Sequence, residues 1–149
     1  RALGYIPGEV SHKIQEYAVP FLQGLYDAGV KDQDQLNLGR ICDQEIDSDF
    51  KAVPHTFLRG RTLDGVGIIL DETQNGTKDD IKKILTRVTD NCYVTVLGHV
   101  GQTDIKNSGF AECQAHFKQG RDSGVYTGME FAELTQNFRG EFSNFADQM

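Results

Sequence analysis

Two short β-branched runs, Val66-Gly67-Ile68-Ile69-Leu70 and Tyr93-Val94-Thr95-Val96-Leu97, constrain what this chain can fold into more than any other feature. Each is too short for an ordinary helix and lacks the alternation of a half-exposed strand, so both read as strands buried on two faces of a parallel sheet. Parallel strands need a crossover that carries the chain back to the starting end. The intervening residues supply one: Thr77 is placed to cap a helix over residues 78–88, with Ile81, Ile84, Leu85 and Val88 as its apolar face. Strand, helix and strand in that order predict an α/β fold with a parallel sheet.

The rest of the chain is less explicit. Pro7-Gly8 marks a turn, and Ser11 is placed to cap a helix over residues 10–26, where Ile14, Tyr17, Ala18, Phe21, Leu22 and Leu25 recur at helical spacing. Pro20 is expected to end or kink that helix. Residues 31–49 mix acids with Leu36, Leu38 and Ile41 and fit either a polar helix or a loop. Ser108-Gly109 opens a further helix, residues 129–134 read as a strand, and residues 140–149 as a terminal helix. There is no internal repeat, low-complexity stretch or proline-rich linker, so residues 1–149 read as a single domain.

Charge and cysteine usage narrow the function classes. With 15 Lys or Arg against 22 Asp or Glu, the net charge of -7 disfavours a nucleic-acid binder held mainly by phosphate contacts, though not a local basic strip. No apolar run approaches the roughly 20 residues of a membrane span, and Arg1-Ala2-Leu3-Gly4 does not open a signal peptide. Cys42, Cys92 and Cys113 are an odd number without metal-like spacing, which points to free thiols in a reducing cytoplasm. His12, His55 and His116 form no ligand pattern, and the aromatic side chains read as packing groups.

The chemistry is expected where both strands end, because open parallel sheets bind ligands beyond their carboxyl edge. One strand runs into Asp71-Glu72-Thr73-Gln74-Asn75, the other into Gly98-His99-Val100-Gly101-Gln102-Thr103-Asp104. Four apolar residues followed by Asp-Glu have the form of a Walker B element. Its first carboxylate holds hydrated Mg²⁺ on nucleotide phosphates, and its second takes a proton from the attacking water. Taken alone, Asp71 and Glu72 fit equally a solvated loop that caps the next helix.

Four ordered stretches add a resemblance. Leu3-Gly4-Tyr5-Ile6-Pro7-Gly8 with the following Tyr17, Pro20 and Leu25-Tyr26-Asp27 is similar to the segment after the phosphate-binding strand of PhoH-like ATPases. Pro54-His55-Thr56-Phe57-Leu58-Arg59-Gly60-Arg61-Thr62 resembles that family's "RGRT" element, and Ile68-Ile69-Leu70-Asp71-Glu72-Thr73-Gln74-Asn75 its "ILDEAQN" signature. Leu85-Thr86-Arg87-Val88, Val96-Leu97-Gly98 and Gln102-Thr103-Asp104 match its helix and sensor strand. The resemblance implies a three-layer α/β sandwich, part of a RecA-like P-loop NTPase core related to superfamily-one helicases, in a cytoplasmic phage or bacterial protein of the phosphate-starvation type. It implies ATP and Mg²⁺ as ligands, RNA or DNA as substrate class, and a ring-shaped homo-oligomer.

On that resemblance Asp71 orders Mg²⁺, Glu72 positions or activates water, and Gln102 senses the γ-phosphate. Arg139, in Asn137-Phe138-Arg139, stabilises charge on the phosphates, or equally caps or pairs on the surface, and Gln74 contacts nucleotide; Arg59 and Arg61, two guanidiniums beside a turn glycine, suit phosphate or nucleic-acid contacts and equally suit pairing with the many surface acids. Two departures stand against it. None of the 16 glycines is followed by lysine, so the Gly-Lys phosphate loop is absent, and the chain reads as the carboxyl-terminal portion of a longer enzyme. The sensor strand ends in Gly98-His99 where the family has Gly-Asp, exchanging a carboxylate for an imidazole whose charged form would add a cation near the phosphates. The alternative is a non-catalytic, degenerate ATPase-like module kept for oligomerisation or partner docking.

Overall fold

A computed structural model describes residues 10–58, 60–101, 105–135, 138–146 and 148–149. The chain divides into two compact units, residues 1–113 and 114–149.

In the first unit, helix α1 (Val10–Asp27) and the short helix α2 (Leu38–Cys42) pack together around Ile14, Ala18 and Cys42, with Leu38 and Ala52 against them. Ser11 lies inside the first turn of α1. Of the two outcomes expected at Pro20, it does not end the helix. It sits on the exposed side, where the carbonyl it leaves without a donor can be solvated. The ambiguous 31–49 stretch resolves into turns around α2, whose start is capped by the Asn37 side chain accepting from the Arg40 amide at 3.1 Å. Cys42 is fully buried, and burial pushes its thiol above the ordinary range; all three cysteines are free.

Strands β1 (Gly67–Leu70) and β2 (Tyr93–Val96) pair in parallel, with Gly67 opposite Tyr93 and Leu70 opposite Val96. Helix α3 (Lys78–Leu85) is the crossover. It begins where Thr77 predicts, in a full capping box: the Thr77 hydroxyl accepts from the Asp80 amide, and the Asp80 carboxylate accepts from the Thr77 amide. Ile81 and Ile84 are buried as expected. The helix ends three residues short of Val88, which instead forms a parallel bridge with Leu63. Helix α4 (Phe110–Asp122) follows the Ser108-Gly109 signal.

The sheet differs from the sequence reading in one respect. Among the described residues it has two strands, and its faces are unequal. Ile68, Leu70 and Val96 are half-buried, whereas Ile69 is 57% exposed and Tyr93 87%. A strand buried on both faces needs cover from two layers and from neighbouring strands.

In the second unit, residues 129–134 are not a strand. The Phe131 ring lies 4.7 Å from the Arg121 guanidinium and 5.7 Å from the Lys118 ammonium, so cation–π contacts take the place of a ladder partner. The terminal helix is shorter than expected, α5 (Glu141–Ala146), and leaves Phe142 and Phe145 exposed.

Two glycines are steric necessities. A Cβ on Gly109 would lie 2.1 Å from the Lys78 amide nitrogen, because the chain passes directly over the first turn of α3 and the Gly109 amide bonds the Gly76 carbonyl at 2.9 Å. A Cβ on Gly98 would meet the Phe110 ring at 2.8 Å. Gly109→Ala should therefore destabilise the chain by at least about 1–3 kcal/mol, and more than Gly98→Ala, where a side chain rather than backbone must yield; denaturant unfolding of both variants checks this ordering.

The capping box also carries a pH signature. Hydrogen bonds from Thr77, aided by the charges of His55 and Lys83, hold the Asp80 carboxyl below its ordinary value of 3.8. A carboxylate with a lowered folded value contributes stability above the ordinary value and loses it as pH falls through the folded one. Asp80→Asn should thus cost stability at pH 7 yet flatten the loss of stability on acidification below about pH 4, read from unfolding midpoints across that range.

Candidate functional site

The two strand ends are held in register beyond the sheet itself. The Leu70 carbonyl accepts from the Leu97 amide at 2.8 Å and from the Thr73 hydroxyl at 3.1 Å. The Thr73 amide returns a bond to the Leu97 carbonyl at 3.0 Å. Asp71-Glu72 and Gly98-His99 therefore leave the sheet side by side, as the parallel reading requires.

Between them the backbone makes a sharp turn. Glu72 sits at φ 52° and ψ 34°, the sole non-glycine residue with positive φ among the described residues. That left-handed conformation costs a side-chain-bearing residue roughly 1–2 kcal/mol, and such strain gathers at functional positions. The turn runs straight into a single 3-10 turn, Thr73–Asn75. The Asp71 carboxylate stabilises it by accepting the Glu72 amide at 2.9 Å. Both carboxylates are exposed at the strand edge.

Gln74 bridges the two strand exits. It is 5% exposed. Its Nε2 donates to Glu72 Oε2 at 2.8 Å, and its Oε1 accepts from the His99 amide at 3.1 Å. Asn75 Nδ2 donates to the same Glu72 oxygen at 3.2 Å. The Glu72 carboxylate is thus oriented by two amides, one buried and one partly so. The nearest sequence clue was position: Gln74 lies two residues beyond Glu72 on a 3-10 turn, which keeps it beside the β2 exit.

His99 is exposed, and its Nδ1 accepts from the Gly101 amide at 3.1 Å.

Gln102 and Arg59 lie outside the described residues. Arg61 is exposed, and its carbonyl accepts from Arg87 Nη1 at 3.5 Å, which brings the two arginines together. Arg87 also shares a shallow depression with His55 and Lys83, and also Asp80. Arg139 is exposed and belongs to the second unit. A hollow of about 300 Å³ is lined by Asp32, Asp34, Gln35, Arg40, Asp47, Ser48 and Asp49. It shares no residue with the strand ends, and its four carboxylates repel phosphate. No described helix is long and apolar enough to cross a membrane.

The strain at Glu72 is measurable. Glu72→Gly and Glu72→Val both delete the carboxylate, but glycine accepts the left-handed conformation and valine does not. The glycine variant should be more stable by about 1 kcal/mol or more in chemical denaturation.

Residues 1–137 match the family described as PhoH-like protein. A PhoH-like protein of Synechocystis is 34% identical over 111 residues, covering 70% of this chain and 30% of that protein. One from Mycobacterium tuberculosis is 36% identical over 103 residues, 69% of this chain and 27% of that protein. Protein PhoH of Escherichia coli K12 is 29% identical over 126 residues, 83% of this chain and 34% of that protein. The chain thus spans about a third of the length of these relatives. No solved structure matches it.

Proposed function

This chain belongs to the PhoH-like family, and on that premise we propose that its strand edge is the metal- and water-handling half of an ATP-hydrolysing site in a RecA-like core. The observation that carries the reading is the juxtaposition of Asp71-Glu72 with Gly98-His99 at one edge of a parallel pair, where Gln74 joins the exits. Phosphoryl transfer asks a protein for positioning and charge stabilisation more than for covalent chemistry. A rigid pair of strand ends supplies the positioning.

The donor set suits Mg²⁺, which prefers one or two carboxylates together with waters and phosphate oxygens over an all-protein cage. Asp71 would hold the ion, whose contribution is to neutralise charge on the phosphates. Glu72, oriented through Oε2, would accept the proton of the attacking water. Its strained backbone fits a residue kept for chemistry rather than for stability. Gln102 and Arg139 remain the candidates for sensing the γ-phosphate and stabilising its charge. RNA or DNA is the polymer to test first as the partner of hydrolysis, with Arg61 and Arg87 as neighbouring cations. Assembly into a homo-oligomer belongs to the same reading.

The rival, a docking module without catalysis, draws on the absence of a Gly-Lys loop from these 149 residues. Without that cradle the isolated chain should bind ATP weakly and hydrolyse it at far below the ~1 per second usual for phosphoryl transfer. Joined to a Gly-Lys-Thr loop, Glu72→Gln should keep nucleotide affinity and slow single-turnover hydrolysis by about a hundredfold or more, as loss of a positioned base does. Asp71→Asn should instead weaken Mg²⁺-dependent binding. Nucleotide affinity and single-turnover rates separate the two roles. Identical behaviour of the variants would refute the assignment, and no hydrolysis by the loop-joined parent would favour the docking module.

A further inference from the structure

Gln74 is chemically committed in both directions. A backbone amide such as that of His99 only donates, so the side-chain atom facing it must be the carboxamide oxygen. An ionised carboxylate only accepts, so the atom facing Glu72 Oε2 must be the carboxamide nitrogen. Turning the amide over would oppose two donors on one side and two acceptors on the other. One orientation therefore satisfies both contacts, at 3.1 Å and 2.8 Å. The group doing this is 5% exposed, where a broken hydrogen bond is not readily replaced by water.

The far side of this link is itself a preformed unit. Gly98 packs under the Phe110 ring so closely that a Cβ would meet it at 2.8 Å. His99 closes the turn on itself through the 3.1 Å bond from the Gly101 amide to Nδ1. The near side is the strained Glu72, whose backbone conformation is costly without supporting contacts. Two elements that leave different strands thus share one buried amide.

We propose that Gln74 is a positioning residue, not a ligand contact, and that it couples the 98–101 turn to the Glu72 carboxylate. A shift of that turn then releases or secures the group that handles water. This rests on the reading of the strand edge given above and adds regulation to it. Energetic coupling between two sites is reciprocal, so the influence of the turn on the carboxylate is measurable from the other end, as the influence of the carboxylate on the turn.

The experiment is backbone amide hydrogen exchange at His99, followed by NMR in the intact 149-residue chain without nucleotide. Gln74→Met, close in size but without hydrogen-bonding groups, should speed His99 exchange by about tenfold, the scale of one lost bond. Glu72→Ala does not touch His99 directly, yet should speed the same amide about threefold, because Gln74 loses one of its anchors. In the Gln74→Met background Glu72→Ala should add nothing. The exchange pair E72Q/Q74E, with donor and acceptor traded between the two positions, should return His99 exchange towards that of the parent. A Glu72→Ala effect absent from the parent background, or undiminished in Gln74→Met, overturns the coupling. Since no nucleotide is involved, that failure would leave the Asp71 and Glu72 roles to their own test, and failure of those roles would leave the measured coupling intact.

Discussion

The parallel register of β1 and β2, extended past both strands, is the constraint on which the rest of the described first unit's site depends. Four residue pairs set it inside the sheet. Beyond the sheet Thr73 continues it by bonding back to Leu97 and Leu70, and Gln74 continues it again by bonding to His99. Each added bond would be worth about 1 kcal/mol on its own. Their importance is geometric: a slip of one residue would turn every strand side chain to the opposite face and carry Asp71 and His99 apart.

The same constraint explains the placement of the steric glycines. The crossover has to start immediately after the 3-10 turn, so α3 is capped at Thr77, six residues past Asp71. The chain emerging from β2 must then pass across that cap, and only a residue without a Cβ can do so at Gly109. Local chemistry and global path agree here, which is what a chain with one preferred fold requires.

The features legible in the sequence were those with a local cause. The strands, the Thr77 cap, the Ile81 and Ile84 face and the start of α4 follow from composition and spacing within a few residues. The run Asp71-Glu72-Thr73-Gln74-Asn75 marked the end of β1 for the same reason. What was not legible depended on partners distant in sequence. Residues 129–134 have strand-like composition, but a strand needs a neighbour, and Phe131 meets cations instead. The exposed outer side of Ile69 and Tyr93 has the same origin, since periodicity reports which residues favour burial and not whether anything arrives to bury them. Gln74 is the instructive case. Its type suggested a ligand contact, and only the proximity of residue 99, 25 positions away, reveals a side chain already engaged at both ends.

The left-handed conformation of Glu72 has a consequence for how such chains drift. Glycine is the residue that this backbone prefers, and it lies one nucleotide change from glutamate in the genetic code. A lineage selected only for a durable fold would tend to make that exchange, since it relieves strain at once. If Glu72 handles water as proposed, glutamate at this position marks continued use, and glycine there would identify a copy that has retired from chemistry while remaining well folded.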